Sequence, residues 1–173
     1  EIDYAANIKS LSEIFKAECA AKDVNMPQIL MEPGRSIVAD AGMTLYTVGA
    51  KKEIPGFKNY VSIDGGMPDN PRYALYQSEY TVCVANRMNE KADYECTIAG
   101  RCCESGDLIQ EGVKIPEPQR DDVLAVLTTG AYNYAMSSNY NAITKPPVIM
   151  LTKDSEYVAV KRESFEDMTA CQV

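Results

Sequence analysis

The sequence predicts a mainly β protein, a sandwich or barrel of short strands, with a short α/β segment in front of it. After residue 42, segments rich in Val, Ile, Thr and Tyr alternate with turn signals, which is typical of such folds. Before residue 42, one helical periodicity leads into a short apolar run, a fragment of an alternating α/β pattern. The hydrophobic content of 46% is ordinary for a globular protein. We therefore predict two domains, residues 1–42 and residues 43–173, with the boundary near Gly42.

The first segment is predicted to begin with a helix and to continue into a strand. Asp3 is a suitable N-cap, and apolar residues recur at spacings of three and four until about Lys22. Residues 28–31 form a short, mostly apolar run, as expected of a strand that is buried on both faces. Residues 36–41 have the composition of a further short helix.

The second segment is predicted to contain seven strands and a terminal helix. The strands are residues 43–52, 58–63, 80–85, 94–100, 123–129, 147–152 and 157–162. Residues 163–170 form the predicted helix, with Ser164 as its cap and acidic residues in its first turn.

Charge and residue usage exclude several classes of function. The net charge is −8, and the basic residues are scattered, which argues against nucleic acid or an anionic membrane as a partner. No apolar run approaches the roughly 20 residues that a membrane span needs. The chain has no histidine, so it cannot complete a histidine-based nucleophile system or a histidine metal site.

The cysteines and the first residues indicate the setting of the protein. The six cysteines show no Cys-x-x-Cys pair and no zinc-ligand spacing, so we expect no metal site. The first residues do not have the pattern of a signal peptide, and we expect reduced thiols in the cytoplasm. The chain starts with Glu1 rather than methionine, so we expect it to be part of a larger protein.

The turn Glu32-Pro33-Gly34-Arg35-Ser36 is a candidate anion site. It follows the predicted strand and opens the predicted helix at residue 36. Glycine lets a backbone approach a ligand closely, and amides at the start of a helix bind anions, so the turn can cradle a phosphate while Arg35 pairs with a second anion. An ordinary strand-to-helix turn is the alternative for so short a motif.

Arg72, Tyr76 and Tyr132 are candidates for binding an acidic ligand. If residues 72–76 form one helical turn, Arg72 and Tyr76 lie on one face and form a carboxylate clamp. A solvated arginine beside a core tyrosine is the alternative. Tyr132 follows the most apolar strand and a glycine, where its hydroxyl can reach a cofactor, although simple aromatic packing is the commoner outcome.

The pair Cys103-Glu104 places a thiol beside a carboxylate, next to the turn-forming Ser105-Gly106-Asp107. The functional interpretation is a polar site in which the thiol donates a proton and the carboxylate binds a cation. The alternative is a surface turn with a half-buried cysteine. For so short a stretch on its own, the surface turn is the preferred interpretation.

Taken together and in order, these segments resemble the pyridoxal-phosphate-dependent diaminopimelate decarboxylases over nearly the whole chain. Relatives that act on ornithine or arginine share the first motif but usually carry Cys-Asp-Gly where this chain has Cys-Glu-Ser-Gly-Asp. The motifs that carry the resemblance are Glu32-Pro33-Gly34-Arg35, Asp64-Gly65-Gly66-Met67, Asn70-Pro71-Arg72 to Tyr76, Cys103-Glu104-Ser105-Gly106-Asp107, and Gly130-Ala131-Tyr132 with Ser138-Asn139-Tyr140-Asn141.

The resemblance implies the fold and the cofactor site. Residues 1–42 correspond to the last helix and strand of an eight-fold α/β (TIM-like) barrel, and residues 43–173 to a Greek-key β-barrel or sandwich domain. The resemblance also implies that pyridoxal phosphate is bound by Glu32, Pro33, Gly34, Arg35 and Tyr132. The lysine that carries the cofactor in the family lies in a segment outside this chain, so we expect the chain alone to be inactive and to bind the cofactor weakly or not at all.

The resemblance further implies the reaction, meso-diaminopimelate to L-lysine and carbon dioxide. Arg35, Arg72, Tyr76, Glu104 and Tyr132 match substrate-binding residues of the family. Cys103 matches the proton donor, although the adjacent Cys102 leaves a second candidate thiol. In the family, Cys103 and Glu104 are supplied across a homodimer interface.

Two other interpretations remain open from the sequence. One is a related decarboxylase that acts on another basic amino acid or on a modified diaminopimelate. The other is a β-domain module that binds or dimerises without catalysis. The segment that precedes this chain distinguishes them, because a lysine after an early barrel strand supports the enzyme.

Overall fold

The computed structural model describes residues 3–173, and its contacts divide the chain into two compact units. The first unit ends at Ile37 and the second begins at Val38. The larger second unit contains all of the β structure in the described residues. No helix within residues 3–173 has both the length and the apolar character that a membrane crossing requires.

The first unit consists of helix α1 (Tyr4–Ala21) and an irregular segment. The predicted cap is confirmed, because the Asp3 carboxylate accepts a hydrogen bond from the Ala6 amide at 2.9 Å. The helix ends at Ala21 with Lys22 as its C-cap, which agrees with the predicted end near Lys22. The Tyr4 hydroxyl donates to the Ser36 carbonyl and ties the irregular segment back to the helix.

Two predictions for the first segment are wrong. Residues 28–31 form no strand, and Leu30 is 85% exposed. A strand needs a neighbour for its amides and carbonyls, and no strand of the sheets pairs with residues 28–31. Residues 36–41 form no α-helix, because the chain makes two short 3-10 turns, Gly34–Ile37 and Ala39–Ala41, that are separated at Val38.

A six-stranded sheet dominates the second unit, and a separate two-stranded hairpin follows it. The sheet has the order β3-β6-β1-β2-β4-β5, and every pairing is antiparallel except β2 with β4. Its strands are β1 (Met43–Glu53), β2 (Asn59–Ile63), β3 (Val82–Val84), β4 (Tyr94–Ala99), β5 (Leu108–Ile115) and β6 (Val123–Leu127). The hairpin consists of β7 (Val148–Leu151) and β8 (Glu156–Val160).

The sheet curls into a nearly closed barrel around one apolar core. Its two edge strands, β3 and β5, approach each other, and the Tyr80 amide donates to the Gln110 side chain at 2.9 Å across the gap. Inward residues alternate along the strands, as in β1, where Tyr46 and Val48 are buried. The core contains Tyr46, Val48, Val61, Ile63, Val84, Cys96, Ile98, Ile109, Ile115, Leu124 and Val126. The prediction of a mainly β fold is confirmed.

All seven strands predicted after residue 42 are present, and one observed strand was not predicted. The missed strand, β5, carries charged residues and Gly112, which has a positive φ of 64° inside the strand. These features weaken a strand pattern in the sequence. Helix α2 (Arg72–Tyr76) and helix α3 (Phe165–Thr169) complete the fold, and Ser164 caps α3 with a capping box, as its sequence predicted.

Asp107 joins two loops at one end of the barrel. Its buried carboxylate accepts hydrogen bonds from the Met67 amide at 2.6 Å and from the Cys102 amide at 2.7 Å. Two glycines leave room for this carboxylate, because a Cβ on Gly66 or Gly100 would lie 2.5 Å or 2.1 Å from its oxygens. The loop after β2 and the loop after β4 therefore share a single anchor.

We expect the substitution Asp107→Asn to destabilise the fold. The new amide group faces two backbone N–H donors with only one acceptor oxygen, so one buried donor loses its partner. The expected loss is about 2–4 kcal/mol in the free energy of unfolding. Urea denaturation should show a lower midpoint with an unchanged slope. Asp154→Asn, in the exposed turn of the β7–β8 hairpin, is the matched control and should unfold like the parent; an unchanged midpoint for Asp107→Asn would contradict the anchoring role.

Candidate active site

Helix α2 brings Arg72 and Tyr76 together, as the spacing of four predicted. The Arg72 guanidinium carbon lies 4.8 Å from the centre of the Tyr76 ring. The Tyr132 ring lies on the same guanidinium, at 6.0 Å. Three of the predicted site residues therefore form one cluster, in which a cation contacts two aromatic rings.

Arg72 is buried but incompletely hydrogen-bonded. Its exposed fraction is 9%, and its Nε has no hydrogen-bond partner. One Nη atom donates a weak hydrogen bond to the Met136 sulfur, at 3.8 Å. The neighbouring Asn70 is fully buried, and its Nδ2 also lacks a partner. Buried donors without partners are costly, so this cluster has the chemistry of a site for an anionic ligand.

Tyr132 owes its position to a close approach of two backbone segments. A Cβ on Gly130 would lie 2.1 Å from the Val38 carbonyl oxygen, so only glycine fits there. The Gly130 amide donates to the Ala39 carbonyl at 2.9 Å and fixes the contact. Tyr132 itself has a positive φ of 66°, an uncommon conformation for a tyrosine, and its side chain is about half exposed.

Cys103 and Cys102 have different surroundings. Cys103 is exposed, and its amide donates to the Asn141 Oδ1 at 2.6 Å. Cys102 is only partly exposed, and burial together with the Asp107 carboxylate raises the pKa of its thiol to about 12. A thiol with so high a pKa is a poor acid, so Cys102 is a weak candidate for a proton donor.

Glu104 is held in its ionised form by its neighbours. The Gly106 amide and the Ser105 hydroxyl donate to its carboxylate and lower its pKa, and Tyr140 adds a weaker contact. The Tyr140 hydroxyl donates to the second carboxylate oxygen at 3.4 Å. Because the group is exposed and charged, it can pair with an ammonium group.

The sequence analysis used residues 138–141 for the family resemblance but assigned no role in the site to Tyr140 or Asn141. Both contact the loop of the cysteine and glutamate, and Asn141 does so from a left-handed backbone conformation with a φ of 55°. The sequence signal is weak, since an Asn in a polar loop is common. Only the folded chain shows that its amide oxygen faces the Cys103 amide.

The turn at residues 32–35 lies in the first unit. Gly34 has a positive φ of 62° at the start of a 3-10 turn, and the Ser36 hydroxyl donates to the Pro33 carbonyl at 2.9 Å. The glycine requirement of a tight turn is therefore met. The α-helix whose dipole was predicted to favour an anion is absent, because the turn continues into short 3-10 turns.

The described residues hold no cluster of three or more potential metal ligands among histidine, cysteine, aspartate and glutamate. All six cysteines are free thiols. The site therefore consists of two groups of side chains at the anchored end of the barrel, the arginine beside two tyrosines and the thiol beside a carboxylate.

Comparison with known proteins assigns this arrangement to a family. The chain matches a family model described as pyridoxal-dependent decarboxylase, C-terminal sheet domain, over residues 10–130. Diaminopimelate decarboxylases of Halalkalibacterium halodurans and Bacillus subtilis are each 47% identical over 161 residues, which is 93% of this chain and 37% of either relative. The chain thus spans little more than a third of the length of these relatives.

A solved structure shows the same architecture. Diaminopimelate decarboxylase from M. jannaschii in co-complex with L-lysine superimposes with a TM-score of 0.79 at 34% identity, over 92% of this chain and 36% of that one. Since the family model covers most of its residues, the chain belongs to the pyridoxal-dependent decarboxylases and carries their C-terminal sheet domain.

Proposed function

We propose that the protein to which this chain belongs is a diaminopimelate decarboxylase, which converts meso-2,6-diaminopimelate to L-lysine and carbon dioxide. The observation that carries the proposal is the buried Arg72 guanidinium with an unpaired Nε, in a chain whose second group is an exposed thiol beside an ionised carboxylate. An anion site and a cation site suit a substrate with a carboxylate and an ammonium group at its non-reacting end. The relatives at 47% identity bear the same name.

Substrate binding is proposed to use both groups of side chains. Arg72 and Tyr76, with Arg35 and Tyr132, bind carboxylate groups, because a guanidinium and phenol hydroxyls are donors that match carboxylate oxygens. Glu104 binds the ammonium group at the non-reacting end. The cation–π contacts of Arg72 with its two tyrosines preserve the orientation of the guanidinium when no ligand is bound.

Pyridoxal phosphate is the proposed cofactor, and the residues present fit its phosphate. The positive-φ Gly34 forms a turn that a side chain would disturb, and the Arg35 guanidinium and the Tyr132 hydroxyl are phosphate donors. We therefore assign Glu32, Pro33, Gly34, Arg35 and Tyr132 to its binding. When bound, the cofactor ring withdraws the electrons that remain after carbon dioxide leaves.

Cys103 is proposed to supply the proton that replaces carbon dioxide. Its Sγ–H delivers a proton to the carbon that has lost the carboxylate, and the thiolate regains a proton from water because the side chain is exposed. Cys102 is less suited to this role, because burial and Asp107 raise the pKa of its thiol.

The larger assembly is also a proposal. Residues 1–42 represent the end of an α/β barrel domain and residues 43–173 the β domain. Two copies form a homodimer in which Cys103 and Glu104 complete the partner's site. The protein acts in the cytoplasm, with no nucleic-acid or membrane partner, and the inactivity of the 173-residue chain alone stays a prediction.

The reaction is tested by assaying the intact protein, loaded with pyridoxal phosphate, on meso-diaminopimelate and separately on lysine, ornithine and arginine. We expect carbon dioxide and L-lysine from meso-diaminopimelate and no product from the others. Release of a diamine from one of the other substrates would instead support a related decarboxylase. No turnover of any substrate would support a non-catalytic module.

We expect Cys103→Ala to lower kcat on meso-diaminopimelate by about 10²–10⁴-fold, because proton donation is lost. The visible absorbance of the bound cofactor should stay unchanged. Cys102→Ala is the matched control and should keep kcat within a few-fold. Steady-state kinetics on both variants checks the expectation; the reverse order of effects would assign the role to Cys102.

We expect Arg72→Lys to raise KM for meso-diaminopimelate by about 10–100-fold, the loss of one or two charge-assisted hydrogen bonds. A lysine keeps the charge but cannot form the planar, bidentate contact or stack on the rings. Arg120→Lys, at an exposed position, is the control. An unchanged KM for Arg72→Lys, with the fold intact by circular dichroism, would remove Arg72 from the substrate site.

A further inference from the structure

Residues 138–141 are held by hydrogen bonds at their first residue and in their middle, before they reach the loop of Cys103 and Glu104. At one end, the Ser138 amide donates to the Pro68 carbonyl at 2.9 Å. At its middle, the Asn139 side chain donates to Glu163 at 2.5 Å and to the Ile143 carbonyl at 3.1 Å. The same Glu163 oxygen accepts the Lys145 amide at 2.8 Å. We call residues 138–141 the strap.

The strap contacts the thiol loop through two adjacent side chains. The Asn141 Oδ1 accepts the Cys103 amide at 2.6 Å, and the Tyr140 hydroxyl donates to Glu104 at 3.4 Å. Asn141 reaches this position because its φ is 55°, a conformation that asparagine tolerates better than most residues. The loop itself is exposed at both residues.

Cys103 has few other restraints on its backbone. The Cys102 amide donates to the Asp107 carboxylate, and the Asp107 amide donates to the Glu104 carbonyl at 3.1 Å. These bonds hold the residues on either side of Cys103. The Cys103 amide itself donates to the Asn141 side-chain oxygen. The direction of the Cα–Cβ bond, and so the position of the thiol, depends on that peptide plane.

We propose that Asn141 is a positioning residue for the Cys103 thiol and that Tyr140 is a positioning residue for the Glu104 carboxylate. The inference rests on the proposed decarboxylase function. Asn141 acts on the proton-transfer step, because it fixes the backbone that carries the donor. Tyr140 acts on substrate binding, because it orients the carboxylate that pairs with the ammonium group.

Because Asn141 is proposed to act on proton transfer and Tyr140 on substrate binding, their variants should change different kinetic constants. Asn141→Gly removes the acceptor and keeps the left-handed backbone accessible, so kcat should fall by about 10–100-fold with KM nearly unchanged. Asn141→Asp keeps an acceptor oxygen and tolerates the same backbone, so it should recover most of the lost kcat. Tyr140→Phe should raise KM by about 2–10-fold and leave kcat nearly unchanged, as for loss of one hydrogen bond.

The experiment measures kcat and KM on meso-diaminopimelate for the intact, cofactor-loaded parent and the three variants, with amide hydrogen exchange of the thiol loop in each. Faster exchange at Cys103 in Asn141→Gly, slow exchange in Asn141→Asp and the opposite kinetic patterns would support both roles. Equal effects of Asn141→Gly and Tyr140→Phe on kcat and KM would indicate mere structural support and overturn them. Unchanged exchange or unchanged kcat in Asn141→Gly would overturn the role of Asn141.

Failure of the proposed function has a different signature. If the parent protein does not turn over meso-diaminopimelate, the decarboxylase proposal fails, and the roles in proton transfer and substrate binding fail with it. If the parent is active and the variants do not split kcat from KM, only the positioning roles fail. The parent's own activity therefore separates the two cases.

Discussion

The geometry of the candidate site depends on the carboxylate of Asp107. One buried side chain accepts amides from two loops that follow different strands, and glycines at positions 66 and 100 make room for it. The loop of Asn70 and Arg72 and the loop of Cys103 are thereby fixed to a common point. A charged acceptor suits this task, because its hydrogen bonds to backbone amides are stronger than those of a neutral group.

The anchored loops separate two kinds of chemistry. Arg72 is buried beside two tyrosine rings, and a fixed, partly dehydrated cation of this kind suits the proposed binding of an anion. Cys103 and Glu104 are exposed, which suits their proposed roles as a proton donor and as a carboxylate that pairs with an ammonium group. Burial and the Asp107 carboxylate raise the pKa of the neighbouring Cys102 thiol to about 12, which makes Cys102 a poor proton donor.

The sequence was sufficient for the mainly β fold, for seven strands and for the facing of Arg72 and Tyr76, because these follow from periodicity and spacing. It failed where tertiary contacts decide. Residues 28–31 have the composition of a buried strand but no partner within the sheets, and β5 contains a positive-φ glycine that hides its pattern. The role of Asn141 was missed because its contact with Cys103 joins residues that are far apart in the sequence. The contact also depends on a left-handed backbone conformation that the local sequence does not predict.

The parallel pairing of β2 and β4 has a consequence for the order of folding. Parallel neighbours cannot be joined by a tight turn, so residues 64–93 must cross from one end of the pair to the other. That crossing segment carries Arg72 and also the edge strand β3, whose strand partner within residues 3–173, β6, comes later in the chain. Ordering residues 64–93 lowers the entropy of the chain before the distant contacts that stabilise the segment have formed. The arginine cluster is therefore expected to acquire its shape late, after the rest of the barrel has paired.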